Sequence, residues 1–172
     1  MAKSWRPAVL YQPGMSAVHL VCGPVGAGKT TFSRRLERER RALRLSIDEW
    51  MLRLFGEHMP KDIFHQRLGV CMDLIYDVTE RAAAAGTEVV LDCGYWRREH
   101  RAAALQRLTG NRCELYYLET PAEVRMSRLE VRNAARPPGT YEITREMFDE
   151  FERCFEVPGP PEVFQLIRPE GV

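Results

Sequence analysis

Residues 23–31 read Gly23-Pro24-Val25-Gly26-Ala27-Gly28-Lys29-Thr30-Thr31, and the first eight complete the pattern G-x-x-x-x-G-K-[ST], a Walker A motif. An apolar run, Ala17-Val18-His19-Leu20-Val21-Cys22, leads into it. Thr31-Phe32-Ser33-Arg34-Arg35-Leu36 follows and reads as helix. A buried strand, a tight loop and a helix N-terminus in that order make a phosphate cradle, because loop N–H groups and the helix start both face an anion. Gly23, Gly26 and Gly28 allow a close backbone approach that side chains would block. Lys29 supplies positive charge to the β- and γ-phosphates, and the Thr30 hydroxyl is a ligand for Mg²⁺. The competing reading, a glycine-rich turn with a chance lysine, does not account for the flanking strand and helix. The sequence predicts a nucleoside triphosphate site over residues 23–31.

Outward from this loop the chain alternates short apolar runs with longer helical ones. Strands are expected at 17–22, 43–47, 88–92, 113–118 and 163–167, and helices at 29–41, 48–55, 61–85, 97–109, 121–135 and 144–154. Such alternation predicts an α/β fold with a parallel five-stranded sheet and helices on both faces. Ligands on these sheets bind beyond the carboxyl ends of the strands, which gathers residues 23–30, Asp48 and Asp92 at one rim. The Pro and Gly clusters at 137–139 and 158–161 mark loops inside one domain, with a core over about 17–167 and an N-terminal extension over 1–14.

Three features near that rim carry chemistry. Asp48, in Leu45-Ser46-Ile47-Asp48-Glu49-Trp50, reads either as a helix N-cap or as a carboxylate that accepts a proton from an attacking hydroxyl. Asp92 ends the run Val89-Val90-Leu91, the Walker B arrangement that holds Mg²⁺; the alternative is an Asx-type turn. Arg125, Arg128, Arg132 and Arg136, spaced by three, four and four, form one helical stripe. That stripe is either a solvated basic face or a source of cations for phosphate, through Arg128, Arg132 or Arg136. Arg97, Arg98 and Arg101 read as surface charge or substrate contacts, and Trp50 and Trp96 as core packing or an aromatic wall.

Bulk properties narrow the partners. The 172 residues include 25 basic and 24 acidic ones, for a net charge of +1, so no global field draws nucleic acid or an anionic membrane. The five cysteines are scattered without a C-x-x-C pair, which predicts reduced thiols in a core and no zinc site. The four histidines have no metal spacing. No signal peptide or membrane-spanning stretch is legible, so a cytoplasmic protein is expected.

Residues 23–30, Ser46-Ile47-Asp48, Leu91-Asp92-Cys93-Gly94 and Arg128-x-x-x-Arg132-Asn133 together resemble the small P-loop kinases of the zeta toxin, chloramphenicol phosphotransferase and polynucleotide 5′-kinase group. The resemblance spans about residues 17–167 and includes Phe148 to Pro158. It implies a P-loop NTPase fold with a helical lid, ATP or GTP as donor, and Mg²⁺. By the same resemblance Lys29 binds phosphate, Thr30 and Asp92 serve the metal, Asp48 is the general base, and Arg128 to Arg136 belong to the lid. One position departs: relatives often carry Arg three residues after the base, where this chain has Met51. The leading expectation is transfer of the γ-phosphate to a hydroxyl of a small molecule or nucleoside-like acceptor. A nucleic-acid 5′-hydroxyl kinase is the less favoured alternative, and a nucleotide-dependent switch with slow hydrolysis is a reading of another class.

Overall fold

The computed structural model describes residues 16–137 and 140–169; the expected N-terminal extension and Pro138-Gly139 lie outside them. Five strands run β1 (Ala17–Cys22), β2 (Leu43–Ser46), β3 (Val89–Gly94), β4 (Arg112–Leu118) and β5 (Gln165–Ile167). Six helices connect them: α1 (Lys29–Arg40), α2 (Ile47–Phe55), α3 (Lys61–Ala84), α4 (Arg98–Arg107), α5 (Ala122–Ala135) and α6 (Arg145–Cys154). All strand pairings are parallel, in the order β2-β3-β1-β4-β5. β1 is therefore central, and its C-terminal end delivers the chain to the glycine loop at a place where neighbouring connections diverge to either side.

Period-two alternation in the strands feeds two cores. Val18, Leu20, Leu91 and Leu115 pack with Ile47 and Met51 of α2, Cys71 and Ile75 of α3, and Ala104 of α4. Val21, Val90, Tyr116 and Leu118 point the other way, to Phe32 and Leu36 of α1. A third cluster joins Val25 of the glycine loop to Leu129 of α5 and Ile143 and Phe148 near α6, so the two late helices seat against that loop. The expected boundaries hold to within a residue or two. β5 begins later than expected because Glu162 is engaged elsewhere: its carboxylate takes Arg101 and the Gly159 N–H, and the chain joins the sheet only at Gln165.

One assignment changes, and one pair of alternatives is decided. Arg101 is fully buried rather than a surface charge. Its guanidinium bonds both oxygens of Glu162 at 2.6 and 3.0 Å and donates to the carbonyls of Tyr95, Trp96 and Glu156, which ties the β3–α4 turn to the returning C-terminal segment. A buried guanidinium is tolerable only with such saturation. Trp96 packs on Phe151 with ring centroids 4.7 Å apart, and Trp50 lies against the main core, so both tryptophans serve packing.

Candidate active site

The glycine loop is held from below by α5 and β4. Arg125 is buried and forms a two-pronged pair with Glu152 at 2.6 and 2.5 Å. It also donates to the carbonyls of Thr120 and Val25, and the Thr120 hydroxyl donates to the Ala27 carbonyl. Of the four stripe arginines, this one is therefore structural and not solvated. Gly26 has φ +77°, and a Cβ there would stand 2.9 Å from the Arg125 carbonyl oxygen, so both conformation and space demand glycine. Gly28, with φ 93°, precedes α1 without a side-chain cap, and no acidic residue occupies the helix's first turn. That leaves the positive end of α1 facing the loop interior. Thr30 and Thr31 open α1 on its exposed side.

Lys29 crosses the mouth of the loop, its Nζ donating to the carbonyls of Gly23 and Pro24 at 2.8 Å each. Burial lowers its pKa, and the charges of Asp92 and Asp48 act in the opposite direction. The two aspartates and this lysine thus form one electrostatic unit at the rim.

Asp48 is not the N-cap of α2. Ser46 has the extended backbone of a cap, and its hydroxyl accepts from the Glu49 N–H at 3.5 Å. The helix starts at Ile47, which leaves the Asp48 carboxylate free of capping, at an exposed position. Surrounding protein desolvates it all the same; that effect first, and the charge of Asp92 second, push its pKa up to about 6, against the opposing pull of Lys29 and Arg132.

Asp92 lies inside β3, opposite Ser46 in register, rather than in a turn after the strand. It is buried, with its pKa raised by desolvation and lowered by Lys29, Arg44 and the Thr30 hydroxyl. Arg44 is a residue that sequence reasoning missed. From β2 it donates to Asp92 at 3.3 Å and Glu49 at 2.6 Å, with Glu37 at 3.4 Å. The available signal was a lone arginine between Leu43 and Leu45, in a strand too short to expose it fully.

The remaining arginines of the stripe are graded along α5. An Nη of Arg128 comes within 3.8 Å of the place where a Gly28 Cβ would be, and no hydrogen bond or ion pair engages it among the described residues. Arg132 donates to the Tyr141 carbonyl at 3.1 Å and lies within range of the Asp48 charge. Arg136 is exposed at the left-handed C-cap, 3.8 Å from Glu142. Tyr141 and Glu57, also unforeseen, line a cleft with Arg132 and Arg136.

For a metal, the candidate donors are the Thr30 hydroxyl and the Asp92 carboxylate, which lie together. Among the described residues no group of three or more His, Cys, Asp or Glu is placed to hold an ion. Hard oxygen donors in small number fit Mg²⁺, which completes its shell with water and phosphate oxygens, and do not fit an all-protein cage. Among the same residues no helix is long and apolar enough to cross a membrane.

Comparison with known proteins places this geometry. A family model described as "AAA domain" matches residues 18–158. No curated protein sequence matches the chain. Among solved structures, a sugar kinase from Janibacter sp. HTCC2649 superposes with a TM-score of 0.62 at 16% identity, over 89% of this chain and 85% of that one. Chaetomium thermophilum Kti12 in complex with ADP-AlF3 gives 0.64 at 16%, over 88% and 87%. The APS kinase CysC of Mycobacterium tuberculosis, in complex with AMPPNP and APS, gives 0.60 at 18%, over 93% and 92%. At these identities the likeness establishes a shared fold.

Proposed function

The chain belongs to the AAA-domain family matched over residues 18–158, and from that premise we propose that it is a phosphotransferase moving the γ-phosphate of ATP to a hydroxyl of a small-molecule acceptor. The observation that carries this reading is Asp48. Relieved of capping by Ser46, it stands as a free carboxylate at the rim it shares with Lys29 and Asp92. A pure nucleotide switch has no need of such a base. Nucleotide complexes of fold relatives such as Kti12 and the APS kinase support a triphosphate in the loop.

In this reading the loop N–H groups and the start of α1 bind the phosphates, and Lys29 exchanges its two carbonyl partners for phosphate oxygens. Thr30 and Asp92 would hold Mg²⁺, with Arg44 keeping the Asp92 carboxylate aimed. When bound, that ion neutralises charge on the β- and γ-phosphate oxygens. Asp48 orients the acceptor hydroxyl and takes its proton as the oxygen attacks; a carboxylate pushed up to about 6 is both ionised at neutral pH and basic enough to be useful. Arg128 and Arg132 balance charge on the transferred group.

Transfer from γ-labelled ATP by the Asp48→Asn variant tests this. The expected result is a loss of kcat on the order of 10²–10⁴-fold, with ATP affinity within about twofold of wild type. Wild-type kcat should fall as pH drops through about 6, because protonated Asp48 cannot accept a proton. Undiminished turnover in the variant would refute the base.

A further inference from the structure

A peptide unit is planar, and its C=O and N–H point in opposite directions, so a donor that holds the carbonyl also aims the N–H. In the glycine loop, Gly26 and Gly28 are left-handed, at φ +77° and +93°. The peptide leading into each has its carbonyl tethered from outside the loop. Val25 accepts from Arg125 Nη1 at 3.2 Å, and Ala27 accepts from the buried Thr120 hydroxyl at 3.3 Å. Neither glycine N–H donates to a backbone carbonyl among the described residues. Inward N–H groups of this kind form a concavity for an anion. We propose that Thr120 and Glu152, neither of them in the loop, are positioning residues for the triphosphate, Thr120 directly and Glu152 through Arg125. They hold the two carbonyls back and so aim the Gly26 and Gly28 N–H groups at the phosphates. This role rests on the proposed triphosphate site and not on the transfer step.

Arg125 owes its aim to α6. A guanidinium carries five N–H donors in a fixed fork, so the donor that meets the Val25 carbonyl depends on what clamps the others. Nε donates to the Thr120 carbonyl at 2.9 Å, and Nη1 and Nη2 donate to the two Glu152 oxygens at 2.6 and 2.5 Å. The guanidinium also lies over the Phe148 ring, 5.1 Å from its centroid. Glu152 and Phe148 both belong to α6. With these contacts made, the second N–H of Nη1 falls to the Val25 carbonyl, 100 residues earlier in the chain. A two-pronged carboxylate pair fixes geometry as well as charge. Among the described residues Arg125 is the only hydrogen-bond partner of Glu152, so any effect of this carboxylate on the loop passes through that guanidinium.

The sign of the effect separates positioning from two simpler roles. A carboxylate that acted only as a charge would offset a cation beside the loop, and its removal would raise the positive potential there and tighten ATP. A carboxylate that served folding alone would lower the melting temperature and leave the affinity of the folded chain unchanged. Loss of aim weakens ATP.

The test measures the Kd of ATP, and of inorganic tripolyphosphate as a probe without a base, by calorimetry in Mg²⁺ well below the melting temperature of each variant. Glu152→Ala should weaken both about tenfold, as expected when a charge-assisted hydrogen bond is released. Glu152→Gln keeps the length and one acceptor for Arg125 and should recover part of that loss. Thr120→Val keeps the shape without the donor and should weaken both roughly threefold, the scale of one neutral hydrogen bond. It leaves the Arg125–Glu152 pair untouched, so it keeps the test open if Glu152→Ala does not fold. Unchanged or tighter binding in either folded variant overturns the role of that residue and leaves the triphosphate site standing. A wild-type chain that binds neither probe overturns the site and the positioning role together.

Discussion

Two strand-to-helix junctions at the same end of the sheet are built in opposite ways. At β1–α1 the helix starts behind Gly28, uncapped by any side chain and with no acid in its first turn. At β2–α2 Ser46 caps the helix, and Asp48 and Glu49 fill the first turn. The other four helices also carry an acid there: Asp62, Glu99, Glu123 and Glu146. A carboxylate at a helix N-terminus stabilises the helix by about 0.3–1 kcal/mol, but it would compete with any anion brought to the same N–H groups. The first junction thus leaves its backbone groups open to a ligand. The second satisfies its own backbone with a serine and so leaves an aspartate uncapped at the rim.

The comparison can be broken most severely at Gly26. Gly26→Ala places a Cβ against the Arg125 carbonyl in a left-handed conformation. Strain and overpacking together should cost about 2–4 kcal/mol of stability, read as a lower melting temperature, and ATP binding should fall more than tenfold. Arg44→Met attacks the link between the junctions. Without the cation that bonds both Asp92 and Glu49, affinity for ATP in the presence of Mg²⁺ should weaken roughly tenfold, the equivalent of one charged hydrogen bond. Affinity measured in EDTA should be nearly unchanged, and an equal loss in both conditions would assign Arg44 to folding alone.

Asp48→Asn has a stability signature besides its kinetic one. The carboxyl titrates higher in the folded chain than its ordinary value, so its favourable contribution is complete at low pH and is lost as pH rises toward and through about 6. The variant should therefore melt above wild type at pH 7.5 and together with it near pH 3. The smallest effect makes the first junction resemble the second. Thr31→Glu adds an acid to the first turn of α1; it should raise apo stability by a few tenths of a kcal/mol to about 1 kcal/mol and weaken ATP binding. Gains in both would mean that no anion uses that helix end.

The glycine loop, the alternating strands and helices, and the rim positions of Asp48 and Asp92 were legible because each follows from contiguous residues. The role of the arginines was not. Spacing put four of them on one helical face, but only the packed structure sends Arg125 under the loop to Glu152, sets Arg128 beside Gly28, ties Arg132 to the Tyr141 carbonyl and leaves Arg136 at an exposed cap. The sequence left Asp48 open between helix cap and free carboxylate for a local reason. Ser46 and Asp48 are both good N-caps, and the choice between them depends on where β2 ends against β3, since Ser46 is the last residue in register with Asp92.

Sequence by itself determined the glycine loop between strand and helix, the strand–helix period and the parallel sheet they imply, because these rest on backbone geometry and on apolar periodicity within one segment. Tertiary structure alone decided which charges meet. Arg44 finds Asp92 across 48 residues, Arg101 finds Glu162 across 61, and Tyr141 is carried to a cleft shared with Glu57. A guanidinium or phenol carries no mark of its partner along the chain; burial removes water as the alternative, and the partner is whichever group the fold has brought within reach.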